Sequence, residues 1–307
     1  MTANPASGSL MVLTPSYAPD LELCRDLNRS IMDCAEDDVE HHIIVPARDR
    51  SRFSPLTGAR TVIHDVADFL PGHLLKVPGA NMWANLHRPF PPIRGWIAQQ
   101  LVKLSAAAQS ESEAVLLVDS DMVFVRPFGA STFSKQGNPA FYRNPGAVHA
   151  GLPRHRQWHE VSRKILGLEP PASGALTDYI CWPCLWQPTV VRRMLAAVES
   201  RSGKDWASEL GGQLHFSEMV LYGVFVDDVM GGLPSATNRT PSAVYSEEKP
   251  LDEGGLDRFL GTVRDDDVAV MISAKSGTDI EARRSALARH VFGPKDTHRG
   301  DPYELSG

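Results

Sequence analysis

Residues Ala114–Phe128 read AVLLVDSDMVFVRPF, and the fold turns on where this stretch sits. Ala114–Val118 is an unbroken apolar run of strand length, the pattern of a strand buried on both faces. Asp119 and Asp121 follow with one residue between them, then a second short apolar run, Met122–Val125, and Arg126. Like charges this close raise each other's free energy unless a cation stands between them. Along an extended chain alternate side chains share a side, so Asp119 and Asp121 point one way and Ser120 the other. Ligands of open α/β sheets bind beyond the carboxyl ends of the strands, where this pair falls. Two such carboxylates form half of a hard-cation site for Mg²⁺ or Mn²⁺. Mg²⁺ takes only one or two carboxylates and leaves its other positions to water and substrate phosphates. The plainer alternative is that both aspartates cap the turn after the strand.

Working outward, IRGWIAQQLVKLSAAAQ places Ile93, Ile97, Leu101 and Leu104 on one helical face, with Arg94, Gln99 and Lys103 elsewhere. SLMVLTP predicts a first strand broken at Pro15, and Asp20 is placed to cap a helix running to about Cys34. EHHIIVPARD and RTVIHDV predict a second and a third strand. Pro71–Pro92, rich in Pro and Gly, reads as a long ordered loop, a functional segment or lid. Beyond residue 135 the pattern loosens. PAFYRN predicts a strand, HRQWHEVSRKILG a helix, Val190–Glu199 and Ser217–Phe225 two more, DVAVMISAKSGTD a last strand and EARRSALARHVF a closing helix. The alternation predicts an α/β fold with a mostly parallel central sheet and flanking helices. Residues 1–135 form a first half ending in the D-x-D segment, and 136–307 a mixed second half.

A chain of 307 residues, 42% hydrophobic and 22% charged, can bury a full core. Its net charge of −6 argues against a non-specific nucleic-acid binder, which relies on excess Lys and Arg. MTANPASGSLMVL lacks a basic start and a signal-length apolar run, and no stretch approaches the roughly twenty apolar residues that span a bilayer. A cytoplasmic protein is expected, with its four cysteines reduced.

AVLLVDSDMVFVRPF resembles the D-x-D segment of GT-A-fold glycosyltransferases, which use a nucleotide-sugar donor. VLTPSYAPD resembles their first strand and nucleotide-binding loop. RGWIAQQLVKL and HFSEMVLYGVF resemble a largely uncharacterised bacterial glycosyltransferase-like family. The resemblance implies a nucleotide-diphosphate sugar donor (a UDP-sugar favoured), an unidentified acceptor and a Mn²⁺ or Mg²⁺ cofactor. It implies that Thr14, Pro15 and Tyr17 lie against the base, with Asp49 on base or ribose. Asp119 would touch ribose or metal beside Ser120, and Asp121 would be the firmer metal ligand. Arg94, Lys103 and Lys275 would face the diphosphate. Many such enzymes add a late His as third ligand; ISAKSGTD has none, and the next is His290.

Sugar transfer passes through an oxocarbenium-like transition state while negative charge grows on the departing diphosphate, which a metal and Arg or Lys stabilise. An inverting enzyme also needs a group to take the acceptor proton. Glu218 is favoured, with Asp178 and His215 as alternatives; beside this stands helix-start chemistry, with Ser217 as N-cap and Glu218 in the first turn. Alternative functions are a metal-dependent nucleotidyltransferase, marked down because PSYAPDLE has neither Gly nor a basic residue, and a non-catalytic nucleotide-sugar-binding protein. The C-x-x-C of Cys181 and Cys184 lacks the helix start that thiol redox chemistry needs. His155 and His159, four apart, read as part of a solvated basic face. The local excess of Arg143, Arg154, Arg156, Arg163 and Lys164 could attract an anion. Trp83, Trp158, Trp182 and Trp186 are candidates for sugar stacking or for the core.

Overall fold

Hydrophobic runs at both ends of the first βα unit fold as their patterns dictate. The computed structural model describes residues 9–88 and 90–290. β1 (Leu10–Pro15) is buried along its whole length and leads into α1 (Leu21–Cys34). Asp20 holds the N-cap position of α1, but its side chain makes no capping hydrogen bond. β2 (Glu40–Val45), the short α2 (Arg50–Phe53) and β3 (Thr61–Asp65) follow. Pro71–Pro92, expected to be a loop, contains instead β4 (Leu74–Lys76) and β5 (Met82–Asn85), which form an antiparallel sheet with β6 (Ile93–Arg94) just beyond it. Short strands separated by Gly and Pro carry too little periodicity to stand out from a loop.

α3 (Gly95–Gln109) then delivers the chain to β7 (Ala114–Leu117). β7, β1, β2 and β3 lie parallel in that order, and the Cys184–Trp186 strand adds antiparallel at the β7 edge. The fold is α/β. Among the described residues this five-stranded sheet is accompanied by five smaller sheets of two or three strands.

The unbroken apolar character of β1 and β7 follows from burial on both faces. Met11, Leu13, Val115 and Leu117 join the core beneath α3, whereas Leu10, Val12, Ala114, Leu116 and Val118 join the core beneath α1. Each such side chain, fully buried, contributes roughly 1.5–3 kcal/mol. α3 is enclosed on more than one side, packing on β1 and on three later helices: α5 (Pro188–Ser202), α6 (Trp206–Gly211) and α7 (Glu218–Val224). Lys103, expected away from its apolar face, is therefore buried, as is Gln100.

After β7 the chain leaves the large sheet. β8 (Met122–Phe124) pairs antiparallel with Ala269–Ile272, which pairs parallel with Ser242–Tyr245. Asp119–Asp121 is the bridge between two sheets. α4 (Pro153–Leu166), α8 (Glu253–Leu260) and α9 (Ile280–His290) complete the helices. Among the described residues no helix is long and apolar enough to cross a membrane.

Candidate functional site at the D-x-D bridge

Val118 N–H donates to Leu13 O, the last tie of β7 to β1, and Met122 N–H donates back to Asp119 O at 3.1 Å, closing a turn. The turn gives the two aspartates different surroundings. Asp119 keeps about a third of its side chain in solvent. Asp121 is held inward: its Oδ2 accepts from Ala274 N at 2.7 Å, while its Oδ1 is buried without a hydrogen-bond partner. Burial, then the Asp119 charge, pushes the Asp121 carboxyl up to about 6, against the Ala274 N–H and Arg283. Asp20 is likewise raised, by burial and then by Asp119. The Asp119 charge thus acts on carboxylates to either side of it, beyond the ends of β1 and β7. Ser120 turns the other way and donates to Ser16 Oγ at 2.8 Å, pinning the bridge to the loop after β1.

The cation beside Asp119 is Lys103. Its Nζ lies 3.7 Å from Asp119 Oδ1 and 3.2 Å from Glu218 Oε1, with the Trp182 ring centroid 4.8 Å away. Burial pulls the Lys103 ammonium down, but Asp119 and Glu218 more than offset it and leave it above the ordinary lysine value. Glu218 sits in the first turn of α7, where Ser217 Oγ accepts from Val220 N and the Glu218 N–H donates to Gln100 Oε1 at 2.9 Å. Helix-start chemistry and a charged site therefore coexist at one residue. Glu218 is only 6% exposed. It is engaged with Lys103 instead of facing an open acceptor surface.

Other expected contacts are redistributed. Thr14 is fully buried, its hydroxyl 3.0 Å from His41 Nε2, and has no surface for a base; Pro15 is buried too. Tyr17 is exposed, its ring free to stack. Asp49 is buried and accepts from Ala18 N at 3.1 Å, so it shapes the nucleotide-loop candidate instead of reaching past it. Arg94 is exposed at the start of α3, nine residues and about 14 Å along the axis from Lys103, so these two cations do not converge. Lys275 is exposed in the turn Ala274–Ser276, the turn that Asp121 anchors, with Glu248 3.9 Å away.

Asp178 ends the short strand Leu176–Asp178: its Oδ1 accepts from Ile180 N at 3.0 Å and lies 3.7 Å from His155 Nδ1. His215 is exposed. His290 ends α9 and contacts Asp257 at 2.8 Å, so it supplies no third ligand to the aspartates. His159 contacts Thr177 O, a different partner from that of His155. Arg143 and Arg163 are paired with Asp227 and Asp228, which removes much of their pull on an anion. Cys181 and Cys184 are free and buried, and burial drives the Cys181 thiol well above its ordinary value, opposite to a redox-active thiol. Trp158 and Trp186 belong to the core, whereas Trp83 and Trp182 are half-buried.

Arg283 escaped the sequence reading. On α9 it is only 6% exposed, and its guanidinium donates to Ile272 O and Ser273 O, bracing the turn that caps Asp121. EARRSALARH shows two adjacent arginines and nothing to mark one as buried. Gln100 gave no signal either, since glutamine is common on exposed helix faces.

The donor set suits a hard divalent cation. Asp119 and Asp121 share one strand end, and Asp121 Oδ1 is a buried oxygen without a partner that a cation would satisfy. Comparison with curated proteins finds no match. The family model that matches, over residues 9–241, is described as a family of unknown function, DUF6492. By that match, which takes in the whole segment from β1 through the D-x-D bridge to the Lys103–Glu218 pair, the chain belongs to the DUF6492 family.

Proposed function

We propose that this protein is a glycosyltransferase with a GT-A-like, mostly parallel central sheet. It would move a sugar from a nucleotide-diphosphate donor, a UDP-sugar favoured, to an acceptor hydroxyl. The observation that carries the reading is the buried, unpartnered Oδ1 of Asp121 beside the half-open Asp119, at the carboxyl end of a parallel strand.

Asp119 and Asp121 would hold Mn²⁺ or Mg²⁺, which when bound supplies Lewis-acid neutralisation of the diphosphate. The chain's own residues do the rest. The exposed Tyr17 ring offers a stacking face for the base, on a loop that Asp49 and Ser120 hold rigid. Lys275, exposed on the turn stitched to Asp121, would offer its positive charge to the diphosphate. Lys103 fixes the Asp119 carboxylate, and Glu218 positions Lys103. Glu218 acts through Lys103, so the acceptor proton is not assigned to it.

Calorimetry of UDP and GDP binding, with and without Mn²⁺, tests this on the wild type and Asp121→Ala. The expected result is UDP binding that requires Mn²⁺ and disappears in the variant, followed by UDP-sugar hydrolysis in a donor screen. If neither nucleotide binds and Asp121→Ala changes stability alone, the aspartates are turn chemistry and the proposal fails.

A further inference from the structure

The β4–β5 hairpin and the start of α6 bring two imidazoles and a carboxylate together from distant parts of the chain. His73 precedes β4, His87 follows β5, and Asp205 is the N-cap of α6. His73 Nε2 lies 3.3 Å from Asp205 Oδ1, and His87 Nδ1 lies 3.5 Å from Asp205 Oδ2. One donor atom from each residue falls within 4.8 Å of the other two. None of the three belongs to the D-x-D bridge. We propose that His73, His87 and Asp205 form a Zn²⁺ site that ties the hairpin to α6.

The spacing fits an ion better than it fits an ion pair. Zn–N and Zn–O bonds of about 2.0–2.2 Å set tetrahedral edges of about 3.3–3.5 Å, whereas charge-assisted hydrogen bonds contract to about 2.7–2.9 Å. The two separations, 3.3 and 3.5 Å, run to different oxygens of Asp205 and are both longer than a charge-assisted hydrogen bond, and one donor atom of each residue lies within 4.8 Å of the other two. The two rings stack with centroids 4.0 Å apart and planes 15° from parallel, so a shared ion requires the exposed His87 ring to turn out of the stack. Two imidazoles and one carboxylate favour Zn²⁺ over the Mg²⁺ or Mn²⁺ suited to the all-oxygen D-x-D pair.

The surroundings hold the donors in place. Ser208 N–H donates to Asp205 Oδ1 at 2.8 Å, Ser208 Oγ is 3.2 Å from His73 Nε2, and Asn85 Nδ2 donates to that same oxygen at 2.9 Å. Such outer hydrogen bonds orient ligands at metal sites. His73 is mostly covered and His87 mostly exposed, so the site has a fixed wall and an open mouth. Three protein ligands leave a fourth position for water or an exogenous group.

The test is Zn²⁺ binding to tag-free protein by chelator competition and calorimetry, with thermal unfolding in parallel. The variants are His87→Ala, Asp205→Asn and Asp121→Ala. His87 is exposed, and Asn caps a helix as well as Asp, so the first two variants keep the fold. The expected result is one equivalent of Zn²⁺ that raises the wild-type Tm and survives Asp121→Ala. Its affinity should fall at least ~10-fold in His87→Ala and Asp205→Asn, since losing even an outer-shell partner typically costs that much. Wild-type protein that takes up no Zn²⁺, or binding lost in Asp121→Ala but kept in the other two, overturns the proposal.

Discussion

Lys103 is buried because two carboxylates surround it, and the carboxylates tolerate each other because Lys103 lies between them. Removing one member of such a group strands the others: Lys103→Met should destabilise the protein by about 3–5 kcal/mol. Replacing Glu218 by Leu in that background should recover part of the loss, a coupling that a urea-denaturation double-mutant cycle reads. A single variant within ~0.5 kcal/mol of wild type would remove the cluster from the account. Asp121 makes the opposite prediction. Its folded-state value of about 6 exceeds the ordinary 3.8, so the folded chain binds this proton more tightly than the unfolded chain does. In the metal-free protein the Asp121 contribution is fully present below about pH 4 and is lost as pH rises through 6. Asp121→Asn, which keeps an acceptor for Ala274 N–H, should therefore raise metal-free stability at pH 7.5, by at most about 3 kcal/mol. Urea midpoints at pH 4 and pH 7.5 check the sign: the gain should appear only at the higher pH.

α7 lies against the Leu176–Cys184 segment because its residue 223 has no side chain. A Cβ there would stand 2.1 Å from Tyr179 Cγ, in a ring tethered by the Tyr179 hydroxyl donating to Asp227 Oδ2 at 2.8 Å. The ring cannot swing aside without breaking that bond. Gly223→Ala would improve helix propensity on an isolated helix, yet here it should destabilise by about 1–3 kcal/mol. A rise in Tm would show that Tyr179 moves freely. Because α7 also carries Glu218, the variant should weaken nucleotide binding as well, through Lys103 and Asp119.

The D-x-D bridge depends on parts of the chain far apart. The family match ends at residue 241, yet Asp121 is capped by Ala274 N–H, and the turn bearing Ala274 is braced by Arg283. β8 has its ladder partner in Ala269–Ile272. A chain ending at residue 241 would lose that partner and expose Met122, Phe124 and their neighbours in the core beneath α1. It should fail to bind UDP with Mn²⁺ and should lose the cooperative transition of the full chain by circular dichroism. Wild-type affinity in the shortened chain would separate the bridge from the C-terminal strand.

The local patterns already specified the α/β class, the strands at Leu10, Glu40, Thr61 and Ala114, the α3 helix and the placing of Asp119 and Asp121 after β7. Each of these follows from burial repeating at a fixed local period, which a single strand or helix carries within itself. What needed the tertiary structure was every contact between elements. Lys103 lay on the expected polar face of α3 and is buried because α7 packs there with Glu218. Thr14 looked available to a ligand and is taken by His41. Arg283 carried no signal in the sequence and braces a turn. His73, His87 and Asp205 lie up to 132 residues apart and meet only when the hairpin folds onto α6. Periodicity reports which face of an element is apolar, but a charge is placed by the partners that long-range packing brings to it, and no local pattern encodes those partners.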